Sequence, residues 1–162
     1  MKIGVYPGSF DPFTLGHLDM ATHAASLFDS VVIGVLNNSG KNPSFTVPER
    51  VKMISDAIDY YGLKNVMVDS FDGLLVDFVR LQGAGYIIRG LRAITDFEYE
   101  FQIDAINHHL APDINTVYFM AKPSLSFLSS TTVKEIAAYG GDLEGLVPEC
   151  NRKIIAERLL KA

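Results

Sequence analysis

The sequence predicts an α/β protein in which five parallel strands form one sheet, doubly wound so that helices cover both faces. Three observations carry that prediction. Five short segments rich in Val, Ile and Tyr recur along the chain, most of them unbroken apolar runs, as strands buried on both faces require. Between them lie segments whose apolar residues follow helical spacing. Strand and helix alternate regularly, and that order produces a parallel sheet with right-handed crossovers.

The first strand is expected at residues 2–6. Residues 17–28 follow as a helix, with Leu18, Ala21, Ala25 and Phe28 on one stripe. The second strand covers 31–36, and residues 48–60 then place Val51, Ile54 and Ile58 together. Thr46 and Glu49 have the spacing of a helix cap, so that entry reads as structural. Strands at 66–69, 86–88 and 116–120 are separated by helical stretches at 74–81 and 94–110. Two further helices, 131–138 and 149–161, complete the chain, and the pair Gly140-Gly141 stops the first of them. No internal repeat, low-complexity tract or long linker interrupts this order, and one domain over 1–162 is expected.

The 162 residues are 48% hydrophobic, enough for one core and short for two. Lys and Arg number 14 against 19 Asp and Glu, a formal charge of −5. That balance argues against a nucleic-acid partner, although a few cations in a cleft hold phosphate on an acidic protein. Cys150 is the only cysteine, which excludes an internal disulfide and a thiolate metal cluster; it reads as a small buried residue. With no signal-like start and no apolar run of about 18 residues, a cytoplasmic protein without a membrane partner is expected.

Ligands of such sheets sit beyond the carboxyl ends of the strands, near the point where the winding reverses. The loops expected there are 7–16, 37–47, 70–73, 89–92 and 121–130. In the first, Gly8 permits a close backbone approach, Ser9 offers a hydroxyl, and Gly16-His17 opens a helix whose free amides attract phosphate. A turn and cap with His17 merely exposed is the plainer reading. Lys41 lies in a Gly- and Pro-containing loop and fits a phosphate ligand or a solvated cation. Arg89 and Arg92 straddle Gly90 at a strand's end, matched to phosphate oxygens or to salt bridges with Asp96 or Glu98. Ser129, Ser130 and Thr131 precede an apolar helical run, where they fit an N-cap or a triphosphate site.

Taken together, Thr14-Leu15-Gly16-His17 and the stretch Leu128-Ser129-Ser130-Thr131 through Lys134 resemble the two signatures of the nucleotidyltransferase superfamily, T/H-x-G-H and I-S-S-T-x-x-R/K. The threonine at position 14, and the segment from Arg89-Gly90-Leu91-Arg92 to Glu100, resemble the phosphopantetheine adenylyltransferase family in particular. The resemblance runs essentially end to end. It implies a Rossmann-like fold, ATP and 4′-phosphopantetheine as substrates, Mg²⁺ as cofactor, a homohexamer and feedback inhibition by coenzyme A. It assigns His17, Lys41 and Arg89 to catalysis. Ser9, Phe10, His17, Gly90, Leu91, Arg92, Glu100, Leu125, Ser126, Phe127, Leu128, Ser129, Ser130 and Thr131 are assigned to ATP. Ser9, Lys41, Leu74, Leu75, Arg89 and Asn107 are assigned to the acceptor, with core packing an equal reading for the two leucines. Leu125 departs from relatives that carry an aromatic residue there. No residue is assigned to a metal.

The acceptor's phosphate monoester, with a second pKa of about 6, attacks as a dianion and needs no general base. The sequence accordingly shows no obvious triad or carboxylate dyad in these loops, and positioning with fixed positive charge suffices. A cytidylyltransferase is disfavoured by Thr14 and by the missing R-T-x-G-I-S-T-T string. Intact His17, Lys41, Arg89 and the hydroxyl cluster count against a nucleotide-binding regulator. A dehydrogenase lacks Gly-x-Gly-x-x-Gly after the first strand.

Overall fold

The computed structural model describes residues 1–37 and 42–161. Its strands β1 (Ile3–Gly8), β2 (Ser30–Leu36), β3 (Val66–Phe71), β4 (Tyr86–Leu91) and β5 (Asn115–Met120) form one sheet in the order β3-β2-β1-β4-β5. Every pairing is parallel. Helices α1 (Leu15–Leu27), α2 (Val47–Tyr61), α3 (Leu75–Leu81) and α4 (Ile94–Leu110) connect the strands, and α5 (Ser130–Ala138) and α6 (Glu149–Leu159) follow β5.

Alternate strand residues feed opposite faces, as the two-residue period requires. Tyr6, Val31, Ile33, Val35 and Ile88 pack with Leu18, Ala21 and Ala24 of α1 and with Ile54, Ala57 and Ile58 of α2. Val5, Val32 and Ile87 pack instead with Val76, Phe78 and Val79 of α3 and with Ala111 and Ile114 after α4. A third cluster, built on Phe45, Met53, Leu128, Val133, Leu143 and Ile155, seats α5 and α6 against α2. The predicted cap of α2 is present: Thr46 N–H donates to Glu49 Oε2 at 2.8 Å, and Glu49 N–H to Thr46 Oγ1 at 3.4 Å. Gly140, at φ 72°, ends α5 in the left-handed conformation expected of a glycine there.

Two expectations need correction. Residues 89–92 do not form a loop: Arg89, Gly90 and Leu91 continue β4, in register with Tyr118, Phe119 and Met120 of β5. Parallel pairing asks only for backbone groups, so the Arg-Gly-Leu-Arg composition conceals a strand. Cys150 is exposed at the start of α6 rather than buried, because α6 turns its Asn151 and Ile155 face inward.

The register also explains where the site lies. β1 stays beside β2 from Ile3 to Gly8, but it pairs with β4 only through Gly4–Tyr86 and Val5–Ile87. Beyond those residues the two strands part. The crevice opens at this reversal point of the sheet order.

Candidate active site

A cleft of about 350 Å³ lies beyond the ends of β1 and β4. Ser9, Phe10, His17, Arg89, Gly90, Arg92, Leu125, Leu128, Ser129 and Ser130 line it, together with Tyr6, Thr14, Gly16, Met20 and Ala121. Two glycines keep it open. A Cβ on Gly8 would stand 2.8 Å from the Phe10 ring, and one on Gly90 would stand 3.0 Å from Met20. Phe10 holds an unusual φ of 49°, and its ring meets the edges of Tyr6, Phe13 and His17. A non-glycine residue persists in that conformation only where the surroundings fix it.

His17 is fixed by the start of its own helix. The Thr14 N–H donates to His17 Nδ1 at 3.0 Å, while Thr14 Oγ1 accepts from His17 N–H at 3.3 Å. An Nδ1 that accepts cannot carry a proton, so the neutral ring bears its hydrogen on Nε2, the nitrogen left for the cleft. Burial pushes the His17 pKa down to about 4, and the positive charge of Arg92 pushes it the same way. At neutral pH the imidazole is therefore an uncharged donor of known direction.

The loop that carries Ser9 and Phe10 rests on a buried polar scaffold. Asp11 accepts from Ser44 N–H and Phe45 N–H at 2.9 Å each, and Lys134 of α5 pairs with it at 2.5 Å. Arg50, only 3% exposed, donates to the carbonyls of Ser9, Leu36 and Phe45. Burial lowers the Arg50 pKa, and Asp11 opposes that shift. One guanidinium thus ties the ends of β1 and β2 to the loop entering α2.

On the opposite wall Arg89 pairs side-on with Glu100, Nε to Oε2 at 2.6 Å and Nη2 to Oε1 at 2.5 Å. Burial disfavours the Arg89 charge, but the hydrogen bonds and charge of Glu100 outweigh it and raise the pKa. The side-on pair leaves the Nη1 edge available to a second anion. Glu100 is 9% exposed and does not line the cleft; it reaches Arg89 from behind. Arg92 donates from Nη1 to the Leu128 carbonyl at 3.3 Å. The partner of Arg89 is thus Glu100 rather than Glu98, and the Asp96 side chain lies outside the described ones.

The hydroxyl cluster is placed as a helix start, with two hydroxyls already engaged. Ser129 Oγ accepts from Thr132 N–H at 3.0 Å, and Ser130 Oγ donates to the Pro12 carbonyl at 2.8 Å. The Ser130 and Thr131 amides open α5 and have no acceptor within the helix, so the helix start offers N–H donors to an anion.

Most of the expected residues converge here; some do not. Leu91 is buried, and its carbonyl accepts from Ala121 N–H at 2.8 Å. Ser126, Phe127 and Thr131 border the segment without lining the cleft. Leu74 is exposed before α3, and Leu75 packs on the second core cluster. Asn107 lies 13 residues into α4, about 20 Å along its axis. Lys41 is outside the described residues. Reasoning from sequence missed Asp11 and Arg50. The available signal was a charge inside an apolar stripe: Arg50 shares the buried face of α2 with Met53, Ile54 and Ala57.

A parallel sheet with a cleft at its reversal point, lined by a neutral histidine donor, two arginines and a helix start, has the parts that a nucleotidyltransferase needs. The Cytidylyltransferase-like family model matches residues 5–136. The chain is 54% identical over 158 residues to the phosphopantetheine adenylyltransferase of Lachnoclostridium phytofermentans, covering 98% of this chain and 96% of the relative. It is 52% identical to that of Natranaerobius thermophilus, with the same coverage. The fold also matches the nicotinic acid mononucleotide adenylyltransferase of Plasmodium falciparum at a TM-score of 0.71, with 15% identity over 96% of this chain and 95% of that one. The chain belongs to the phosphopantetheine adenylyltransferase family, within the cytidylyltransferase-like nucleotidyltransferases.

Proposed function

We propose that the protein transfers the adenylyl group of ATP to 4′-phosphopantetheine, forming dephospho-coenzyme A and pyrophosphate. The observation that carries the chemistry is the neutral Nε2 donor of His17, fixed in a cleft between the arginines of β4 and the open amides of α5. The choice of acceptor is supported by the relatives' shared activity name over nearly the whole chain.

In this reading an oxygen of the acceptor phosphate attacks the α-phosphorus in line, and the bond from that phosphorus to the bridging oxygen breaks. Pyrophosphate leaves with the electron pair, and no covalent enzyme intermediate forms. Because the attacking group is already dianionic, no residue need remove a proton. The Arg89 edge left by Glu100 holds the acceptor phosphate, with Lys41. His17 donates to the α-phosphate as its charge grows, a contact that strengthens in the transition state. Arg92 and the Ser130 and Thr131 amides receive the triphosphate. Ser9, Phe10, Leu125 and Leu128 bound the nucleotide, and Leu74, Leu75 and Asn107 lie along the pantetheine arm.

Mg²⁺ enters this reading as a companion of the nucleotide. The cleft offers N–H and hydroxyl donors, and among the described residues no group of three His, Cys, Asp or Glu side chains stands together to cage a cation. That donor set suits phosphate rather than a metal, and the ion would reach the cleft on the nucleotide's own oxygens. Assembly as a homohexamer is supported by the exposed apolar side chains Tyr99, Phe101 and Ile106 on α4. Feedback inhibition by coenzyme A and a cytoplasmic location, where ATP is supplied, complete the reading.

The test is acceptor-dependent pyrophosphate release from ATP and Mg²⁺, with CTP and nicotinamide mononucleotide run as alternative substrates. Release that requires both ATP and 4′-phosphopantetheine supports the reading. Release only with CTP, or only with nicotinamide mononucleotide, replaces it.

A further inference from the structure

Asp19 follows His17 by two residues on α1 and precedes Met20, and both of those neighbours face the cleft. Its own side chain does not; it is only 7% exposed and points toward β5 and the segment beyond it. Asp19 Oδ1 pairs with Lys122 Nζ at 2.5 Å. Asp19 Oδ2 is buried without a hydrogen-bond partner among the described residues, with His23 Nδ1 at 3.6 Å. The His23 ring stacks over Phe119 of β5. Burying a carboxylate with one oxygen unserved is costly; Lys122, itself about half exposed, makes the short contact that compensates it, and His23 stands farther off.

Lys122 begins the segment 122–129 that walls the nucleotide side of the cleft with Leu125, Leu128 and Ser129. The backbone bonds inside that segment are local: Leu125 to Lys122, Ser126 to Pro123 and Leu128 to Leu125. Its far end is anchored by Leu128, which packs in the third core cluster with Leu15 of α1 and whose carbonyl accepts from Arg92 Nη1. Its near end, at Lys122, reaches α1 through the ion pair with Asp19.

We propose that Asp19 and Lys122 are positioning residues whose ion pair fixes the Lys122 end of segment 122–129 against α1, and so tunes the width of the nucleotide's seat. This rests on the reading of the cleft as the ATP site. Neither residue touches the reacting atoms; the pair acts through Met20 and His17 on one wall and through Leu125 and Leu128 on the other. Relaxing it shifts one wall against the other, and a misplacement of about 1 Å far from the chemistry costs up to about a hundredfold.

The experiment is titration calorimetry of Mg-ATP with the full-length wild type, K122M and K122R, alongside steady-state turnover. K122M keeps the stem and loses the charge; K122R restores the charge. We expect the ATP Kd of K122M to weaken about tenfold, the acceptor KM to stay within about twofold, and K122R to recover most of the loss. A purely structural role would lower thermal stability while leaving the ATP Kd of the folded variant unchanged. If K122M fails to fold, D19N removes the charge at near-constant shape and is expected to show the same weakening. ATP binding within about twofold of wild type in the folded variant, or a K122R as weak as K122M, overturns the proposal. Wild type that binds no ATP defeats the reading of the cleft itself, a different outcome.

Discussion

On the β1–α1 wall of the cleft, the buried cation Arg50 serves carbonyl oxygens, Lys134 serves Asp11, and the group facing the cleft, His17, is neutral. On the β4–α4 wall, Arg89 is paired with a carboxylate and its own charge faces the cleft. The first wall is held by contacts that no substrate replaces. The second keeps a charge with one edge of its guanidinium turned away from its carboxylate partner. In the proposed function, this difference gives the rigid wall the donor to the reacting centre and the charged wall the recognition of the anion.

The comparison breaks first at Arg50. In R50M three carbonyls lose their buried donor, and we expect a loss of about 3–5 kcal/mol in stability by urea unfolding. A loss under about 1 kcal/mol would mean that the first wall is held by something else. Next is His17. H17A should lower turnover by about 10²–10³ while the ATP Kd changes little, as befits a donor used in the transition state. Near-normal turnover would remove His17 from the chemistry.

A pH series sharpens the same wall. The folded pKa of His17, about 4, lies below its ordinary 6.5, so the unfolded chain binds the proton first. The associated stability is complete above pH 6.5 and is lost as pH falls toward 4, on the order of 3 kcal/mol in all. H17Q should lack that part of the slope in urea titrations taken at several pH values; an unchanged slope would place the effect elsewhere. The smallest effect belongs to the second wall. E100Q keeps the shape and one acceptor but loses the charge that orients Arg89, and acceptor KM should rise about tenfold. A tighter acceptor would show that Glu100 competes for Arg89 rather than aiming it.

Fold and site were legible in the sequence to different depths. Apolar runs such as Val31–Leu36 and stripes such as Ile54 with Ile58 announce a buried parallel sheet, because periodicity reports burial directly. The end of β4 was hidden, since Arg89-Gly90-Leu91 has the composition of a turn and only the ladder with β5 reveals the strand. His17, Arg89, Arg92 and the Ser129–Ser130 pair meet at the cleft because their motifs lie at strand ends and helix starts where this topology opens. The Glu100 contact to Arg89, the tautomer of His17 and the Asp11–Lys134 pair were not, because each depends on a distance between side chains that spacing along the chain does not encode.

The burial of the His17 ring, with Arg92 nearby, has a consequence for how turnover responds to acid. A histidine that protonates only near pH 4 is silent through the range in which a phosphate monoester dianion takes up a proton, at about pH 6. With 4′-phosphopantetheine as acceptor, the acidic limb of the rate profile should then trace the substrate rather than the protein. Replacing the acceptor phosphate by a phosphonate or thiophosphate of different acidity would slide that limb along the pH axis, with not one residue of the enzyme changed.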